Sequence, residues 1–197
     1  MKVLNLYAGI GGNRKLWKDC EVTAVELNPE VAEIYKSFFS EDNIIIGDAH
    51  EYLRLHFREF DFIWSSPPCQ SHSSFRQNIC VRFRGTEPVY PDMKLYQEII
   101  FLQNNFKGRY VVENVKPYYK ALIEPTVNIQ RHLFWANFKI ENCAFIKDKI
   151  RAAQIPDLQK THGFDLSKIK IANKRQILRN CVYPEIGEYI FNKIRES

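Results

Sequence analysis

The sequence predicts an α/β fold with a doubly wound, mostly parallel sheet. Short apolar runs alternate with helical patterns, and several of the runs stop at glycine, acidic or proline-rich turns. A parallel sheet gathers such strand ends at one edge, where ligands bind. The chain has 197 residues, of which 45% are hydrophobic, so we expect one domain, residues 1–197, with a substantial core.

The composition excludes several classes of protein. Five cysteines, an odd number without close-spaced pairs, argue against a disulfide framework and against a structural zinc site. The N-terminus reaches glycine too soon for a signal peptide, and no apolar run approaches the roughly 18 residues of a membrane span. We therefore expect a cytoplasmic protein without a metal centre.

The first predicted strand, residues 2–7, runs directly into a glycine-rich turn. Three of the four residues from Gly9 to Gly12 are glycine, which lets the backbone turn sharply and approach a ligand closely. We expect amides at the start of a following helix to face that ligand. A plain tight turn would use glycines in the same way.

Two more predicted strands end at carboxylates. Residues 22–26 end at Glu26, beside the glycine turn, and a helix follows from residue 29 to residue 39. The Glu26 carboxylate would suit two ribose hydroxyls. Residues 44–46 stop just before Asp48, which could accept a bond from an adenine amino group. Each acid taken separately is more simply a helix cap or a turn residue.

The fourth predicted strand presents a cysteine. The apolar run that begins at Phe62 ends in Ser-Ser-Pro-Pro, so Cys69 stands at a strand's carboxyl end on a stiff turn. Polar residues follow it, namely Gln70, Ser71, His72 and Ser73. These surroundings favour an attacking thiolate. The alternative is a small buried residue of the core, since free cysteine is usually buried.

The next segment, residues 71–92, shows little periodicity. Its arginines are interleaved with Phe75 and Phe83, a pattern that suits a nucleic-acid backbone; they are Arg76, Arg82 and Arg84. Long loops in compact domains are commonly functional, so we predict a mobile lid, with a disordered surface excursion as the alternative. An amphipathic helix is expected over residues 93–105.

A further buried strand, residues 110–112, ends at Glu113. This residue is either a structural acid paired with a lysine or a group that faces the same pocket as Cys69. Further along, Arg131 and His132 precede an apolar stretch and could reach an acceptor.

Charge is distributed unevenly around the net value of +5. Residues 1–65 carry seven Lys/Arg against eleven Asp/Glu, whereas residues 147–179 carry nine against three. The basic stretch suggests that a polyanion docks there, although lysines scattered over solvated helices would look similar.

Taken together and in this order, the motifs resemble those of the DNA (cytosine-5) methyltransferase family. Residues 7–12 are similar to the family's Phe-x-Gly-x-Gly-Gly loop, and Glu26 and Asp48 match its ribose and adenine acids. The family's Pro-Cys-Gln matches residues 68–70, and its Glu-Asn-Val matches residues 113–115. The resemblance covers most of the chain and is strongest to compact prokaryotic and phage-type members.

The resemblance implies a class I S-adenosylmethionine-dependent methyltransferase with a Rossmann-like sheet. It implies S-adenosylmethionine as cofactor, S-adenosylhomocysteine as product, and duplex DNA as partner, with the target cytosine flipped out of the stack. Residues 1–65 would form the cofactor half, residues 66–146 the catalytic half, and residues 147–197 a basic stretch with a terminal helix.

The implied site residues fall into three groups. The catalytic group is Cys69, Glu113, Arg131 and Gln70. The cofactor group is Tyr7, Ala8, Gly9, Gly11, Gly12, Glu26, Leu27, Asp48, Ala49, Pro67, Asn180 and Val182. The DNA-binding group is Ser71, Ser73, Arg76, Arg82, Arg84, His132, Lys174 and Arg175.

The sequence departs from the family pattern in three places. Arg131 falls one position away from the family's arginine, so Arg131 and His132 are both candidates to hold the cytosine O2. Arg179 and Cys181 replace the glycine and serine of a terminal Gly-Asn-Ser-Val element. No full target-recognition domain fits between these elements. The lid and the basic stretch would then recognise the target sequence, or a partner would do so. Alternatively, the target sequence would be short and loosely specified. The oligomeric state stays open, with a monomer as the simplest expectation.

Other functions remain to be weighed. An amino-group methyltransferase would have an aromatic residue where Cys69 follows two prolines, and a folate-dependent pyrimidine enzyme would not need the strand-end acids. RNA is a closer rival substrate, because one branch of the family acts on transfer RNA. A non-catalytic relative, or a subunit that needs a partner, would not need both Cys69 and Glu113, but the absent recognition domain keeps this alternative open.

Overall fold

The computed structural model describes residues 1–143 and 153–196, and a seven-stranded sheet forms the centre of this part of the chain. The sheet has the order β3-β2-β1-β4-β5-β7-β6. Strands β1 to β5 run parallel to one another, and β7 is antiparallel to both β5 and β6. The strands are β1 (Lys2–Leu6), β2 (Glu21–Glu26), β3 (Asn43–Ile46), β4 (Phe62–Ser65), β5 (Arg109–Val115), β6 (Val127–Ile129) and β7 (His132–Ala136). The predicted mostly parallel α/β sheet is confirmed.

Helices cover both faces of the sheet. They are α1 (Pro29–Phe38), α2 (Ala49–His56), α3 (Arg82–Arg84), α4 (Lys94–Asn105), α5 (Ile155–His162), α6 (Lys174–Asn180) and α7 (Pro184–Glu196). A 3₁₀ turn spans Phe57–Glu59, and a π-helical stretch, Arg76–Val81, leads into α3. Among the described residues, none of the helices is long and apolar enough to cross a membrane.

Alternating side chains of the strands build two cores. Leu4 of β1 packs on one face with residues of α2 and α4, whereas Val3 packs on the other face with residues of α7. Successive residues of a strand point to opposite faces, so a strand covered on both sides reads as a continuous apolar run. The bounds predicted for these strands therefore lie within one to three residues of the bounds in the structure.

The chain order creates a crevice at the edge where the parallel strands end. From β1 the chain proceeds outward to β2 and β3, and it then returns to place β4 on the opposite side of β1. The connections that leave β1 and β4 therefore diverge, and ligands in open α/β sheets bind at such a switch point. The residues that follow β1 and β4 are the glycine turn and the segment that contains Cys69.

The prediction of a helix directly after the glycine turn is wrong. Residues 13–16 form turns, and the next regular element is β2. The face that such a helix would cover is occupied by α7, whose Phe191 stacks on Trp17 with ring centroids 5.0 Å apart. Trp17 Nε1 also donates to the Gly187 carbonyl at 3.0 Å.

Two further details differ from the sequence prediction. The segment of residues 71–92 contains the π-helical stretch and α3, so it is partly helical. Glu113 lies inside β5, where it is paired with Phe134 of β7, instead of beyond the strand's end. The predicted start of α1 is confirmed, because Asn28 caps the amides of Glu30 and Val31.

Candidate active site

A cavity of about 780 Å³ lies at the carboxyl ends of the parallel strands. It extends from the glycine turn and the end of β2 to β5 and β7. Its lining includes all of the predicted catalytic residues, Cys69, Gln70, Glu113 and Arg131. It also includes these predicted cofactor residues: Tyr7, Ala8, Gly9, Gly12, Glu26, Leu27, Asp48, Ala49, Pro67, Asn180 and Val182. The two predicted half-sites therefore share one space.

Glu26 holds the glycine turn in place. Gly9 adopts a positive φ of 55°, which glycine tolerates without strain, and its amide donates to Glu26 Oε2 at 2.9 Å. The other carboxylate oxygen accepts the Asn28 amide, also at 2.9 Å. The turn is thus fixed against the end of β2, with a carboxylate at the cavity wall.

Gly12 allows the C-terminal part of the chain to close the cavity. A Cβ atom built on Gly12 would lie 2.7 Å from both Cys181 Cβ and the Val182 carbonyl oxygen. A larger residue would push these groups away, so the close approach requires glycine. This contact brings Asn180 and Val182 to the same wall as the glycine turn.

Asp48 serves as a helix cap and also faces the cavity. Its Oδ1 accepts the amides of His50 and Glu51 at 2.8 and 3.3 Å, so the simpler interpretation of this acid, a cap of α2, is confirmed. Lys94 Nζ lies 3.4 Å from Oδ2. Burial raises the pKa of Asp48, but the two backbone bonds and the Lys94 charge together hold it below its usual value. The carboxylate is therefore ionised at the cavity wall.

Asn114 connects the cysteine turn to β5. Its Nδ2 donates to the Pro67 carbonyl at 2.9 Å, and the Asn114 side chain is almost fully buried. Pro67 is two residues before Cys69, and Asn114 follows Glu113. The bond therefore fixes the cysteine turn beside the glutamate, which explains why these two motifs face one cavity.

The thiol and the carboxyl in this cavity are both protonated more readily than usual. Burial, with a contribution from the nearby Glu113 charge, raises the pKa of Cys69 to about 11. Burial also raises the pKa of Glu113 to about 7, although the Ser66 hydroxyl that hydrogen-bonds to it and the Arg131 charge act in the opposite direction. A carboxyl that titrates near neutral pH can give a proton to a bound substrate.

His132 lies next to Glu113 and is neutral. Its Nε2 is 3.6 Å from Glu113 Oε1, and its side chain is almost fully buried. Burial and the Arg131 charge lower the pKa of His132 well below its usual value. Its Nδ1 has no hydrogen-bond partner among the described residues. Arg131 also lines the cavity, and its Nη2 donates to the Arg179 carbonyl at 2.8 Å.

The base of the predicted lid is attached to the segment after β5. Ser73 pairs with Pro117, and the Ser74 hydroxyl donates to the Lys116 carbonyl at 2.9 Å. Within the segment, Arg76 Nη2 donates to the Glu87 carbonyl at 3.0 Å. Ser73, Phe75 and Arg76 line the cavity, so this segment forms one side of its mouth. Its mobility stays a prediction.

Six predicted site residues do not line the cavity; they are Gly11, Ser71, Arg82, Arg84, Lys174 and Arg175. The Ser71 hydroxyl instead accepts the Asp92 amide at 2.9 Å. Lys174 Nζ and Arg175 Nε, at the start of α6, donate to the carbonyls of Leu166 and Ala153 respectively. The two arginines of α3 are exposed on the lid. Part of the predicted basic stretch, residues 147–152, lies outside the described residues.

The shape and polarity of the cavity fit S-adenosylmethionine. The glycine turn offers backbone amides, and Glu26 and Asp48 offer carboxylate acceptors; a nucleoside with an amino acid tail presents the hydroxyl, amine and carboxylate groups that such donors and acceptors bind. Within the described residues, no three His, Cys, Asp or Glu side chains are grouped as metal ligands.

Comparison with known proteins identifies the family. The family described as C-5 cytosine-specific DNA methylase matches residues 1–130, about two thirds of the chain. The chain belongs to this family. Members of the family use S-adenosylmethionine, and the glycine turn, Cys69 and Glu113 all lie within the matched region.

The individual relatives that match this chain share only part of its length or a low sequence identity. A tRNA (cytosine(38)-C(5))-methyltransferase from Spodoptera frugiperda is 34% identical over 76 residues, which are 35% of this chain and 23% of that protein. The structure of a DNMT2 mutant from the same organism is 26% identical, with a TM-score of 0.44 over 61% of this chain and 37% of its own. The chain therefore spans well under half of these relatives.

One solved structure matches the fold over its full length. The methyltransferase EhMeth from Entamoeba histolytica superposes with a TM-score of 0.58 and covers 100% of this chain and 98% of its own. Its sequence identity is only 10%, so this likeness concerns the fold.

The sequence prediction missed three polar residues in or near the cavity. Ser66 binds the Glu113 side chain, and Lys94 approaches Asp48. Glu98 is fully buried on α4 and was treated as part of an ordinary amphipathic helix. The sequence could have singled out Glu98 as unusual, because residues 95, 98, 99 and 102 share one helix face and only residue 98 is charged.

Proposed function

We propose that this protein transfers a methyl group from S-adenosylmethionine to carbon 5 of cytosine in DNA. The observation that carries the proposal is the placement of Cys69 and Glu113 in one cavity with the glycine turn, in a chain that belongs to the cytosine-specific DNA methylase family. Carbon 5 of cytosine is a poor nucleophile. A protein nucleophile must therefore first add to carbon 6, and Cys69 is the candidate.

In the proposed mechanism, the Sγ atom of Cys69 bonds to C6 as the thiol proton is lost to solvent. The electron pair of the C5–C6 double bond moves to C5, and Glu113 gives its proton to the ring N3. Because the pKa of Glu113 is raised to about 7, a large share of this carboxyl is protonated at neutral pH. The carboxyl also suits the exocyclic amine, which would select cytosine.

S-adenosylmethionine, when bound, supplies the electrophilic methyl group. The glycine turn, Glu26 and Asp48 would hold it in the cavity that Cys69 also lines. After methylation a base, for which water is the candidate, takes the C5 proton. The N3 proton returns to Glu113, and the Sγ–C6 bond breaks with Sγ leaving as the thiolate. Gln70 would support the cysteine turn, and either Arg131 or His132 would donate to the cytosine O2, since both line the cavity near Glu113.

The cytosine would reach the cavity by flipping out of the duplex, at a cost of a few kcal/mol. The exposed arginines of the lid, Arg82 and Arg84, would contact phosphates, which predicts salt-dependent binding. The target sequence could be read by the lid and the basic C-terminal stretch, or by a partner.

A second candidate substrate is transfer RNA. The observation that favours it is the 34% identity to a tRNA methyltransferase over 76 residues. The same chemistry would serve cytosine in either polymer, because Cys69 and Glu113 act on the base.

The two substrates can be separated by mapping 5-methylcytosine at base resolution in cells that express the protein. Both genomic DNA and transfer RNA would be mapped, with Cys69→Ser as the matched control. Modified DNA that depends on Cys69 would support the proposal. An unmodified genome alongside modified transfer RNA would establish the second candidate and overturn the first.

A further inference from the structure

Glu98 is a buried carboxylate that takes no part in the proposed chemistry. It lies on the core-facing side of α4, and its side chain is fully buried. Burial of a carboxylate is costly unless hydrogen bonds compensate for the lost water. The hydrogen-bond partners of Glu98 therefore indicate which parts of the structure it holds together.

Three donors surround this carboxylate. The Tyr7 hydroxyl donates to Oε1 at 2.5 Å, and His50 Nδ1 lies 2.9 Å from the same oxygen. The Ser65 hydroxyl donates to Oε2 at 2.5 Å. Burial and the nearby Glu98 charge raise the pKa of Tyr7 far above its usual value, and the bond to Glu98 raises the pKa of His50. Tyr7 is therefore held in the protonated form that can donate, and the bond to Glu98 favours the charged form of His50.

Tyr7 lines the cavity, and the other two donors, His50 and Ser65, adjoin lining residues from two other parts of its wall. Tyr7 begins the glycine turn, and Ala49, the residue before His50, follows Asp48 at the start of α2. Ser65 ends β4 directly before the segment that leads to Cys69. One carboxylate thus ties together the two strand ends that face the cofactor and the strand that carries the nucleophile.

Tyr7 needs such a restraint. Its backbone φ is 55°, in the left-handed region that a bulky residue rarely adopts and that is occupied only when the surroundings enforce it. The family pattern has phenylalanine at this position, so the hydroxyl that reaches Glu98 is a feature of this chain.

We propose that Glu98 is a positioning residue for the S-adenosylmethionine site, acting through the Tyr7 hydroxyl. It holds the glycine turn in the conformation that binds the cofactor. The inference rests on the assignment of this end of the cavity to S-adenosylmethionine.

The test is the affinity for S-adenosylhomocysteine, measured by isothermal titration calorimetry without nucleic acid. Glu98→Gln keeps the shape of the side chain but turns charge-assisted bonds into neutral ones, so we expect binding to weaken about fivefold. Tyr7→Phe should weaken it by a similar factor, and the double variant should be no weaker than Glu98→Gln. Glu33→Gln, an exposed change on α1, is the matched control and should bind like the wild type.

Thermal unfolding without ligand separates positioning from general stability. If Glu98→Gln lowers the melting temperature but binds S-adenosylhomocysteine within twofold of the wild type, the inference is overturned. Multiplicative effects of Tyr7→Phe and Glu98→Gln would also overturn it. Should Glu98→Gln fail to fold, an unchanged affinity in Tyr7→Phe decides against it. No binding by the wild type would instead refute the cofactor assignment itself.

Discussion

The Glu113→Gln variant should gain stability relative to the wild type as the pH rises from 5 to 8. The quantity compared is the free energy of unfolding in urea. In the folded state burial raises the pKa of Glu113 to about 7, from an ordinary value of 4.5. The stabilising contribution of the neutral acid is present below pH 4.5 and is lost as the pH rises through 7. The shift corresponds to about 3 kcal/mol of unfolding free energy lost by the wild type across this range.

Glutamine has nearly the same shape and no charge, so the variant escapes this loss. Urea unfolding of both proteins at pH 5 and pH 8 gives the four free energies needed, and titrations of other groups cancel in the comparison. We expect the variant to gain about 2 kcal/mol or more on the wild type between pH 5 and pH 8. Glu124→Gln, an exposed change, should show no such gain. An equal difference at both pH values for Glu113→Gln would refute the buried, neutral-acid interpretation.

Three further outcomes follow from the site. The kcat/KM of the wild type should fall as the pH drops below about 7, because the state with both thiol and carboxyl protonated must lose a proton to react, and it should level off above that pH. In Glu113→Gln only the Cys69 thiol still has to lose a proton, so kcat/KM should keep rising through pH 7 without a break; a break near pH 7 in the variant would contradict the assignment to Glu113. The double change Arg82→Gln, Arg84→Gln should lower the salt slope of DNA binding by about 2, whereas Lys18→Gln should not; equal slopes would exclude phosphate contacts. Asn114→Ala should lower kcat at least about tenfold, because the cysteine turn loses its anchor, with a smaller loss of S-adenosylhomocysteine affinity through Pro67; an affinity loss as large as the loss of kcat would contradict this.

Much of the sheet could be predicted because its strands are buried on both faces. A run such as that of β4 is apolar throughout and stops at a polar turn, so the sequence marks both its presence and its end. Glu26 is the last residue of β2, and Asp48 and Cys69 come two and four residues after the ends of β3 and β4. Parallel order then brings them to one edge, and the cavity contains all three.

Other features depend on contacts between distant parts of the chain. No helix follows the glycine turn because α7, about 170 residues later, packs on Trp17 and covers that face. The lid is helical without an apolar periodicity, since its turns are held by bonds such as that from Arg76 to the Glu87 carbonyl. The role proposed for Glu98 depends on its three hydrogen-bond donors, which come from other parts of the chain.

The most direct test of the central claim is the trapping of the proposed covalent adduct. The protein would be incubated with S-adenosylmethionine and DNA in which 5-fluorocytosine replaces cytosine, because the fluorine cannot leave as a proton does and the Sγ–C6 bond persists. We expect a denaturant-stable complex in which the DNA is covalently attached to the peptide that contains Cys69. The Cys69→Ser variant should form no such complex. Methylation of ordinary cytosine by the same preparation, without any adduct on the fluorinated DNA, would contradict attack by Cys69 on C6.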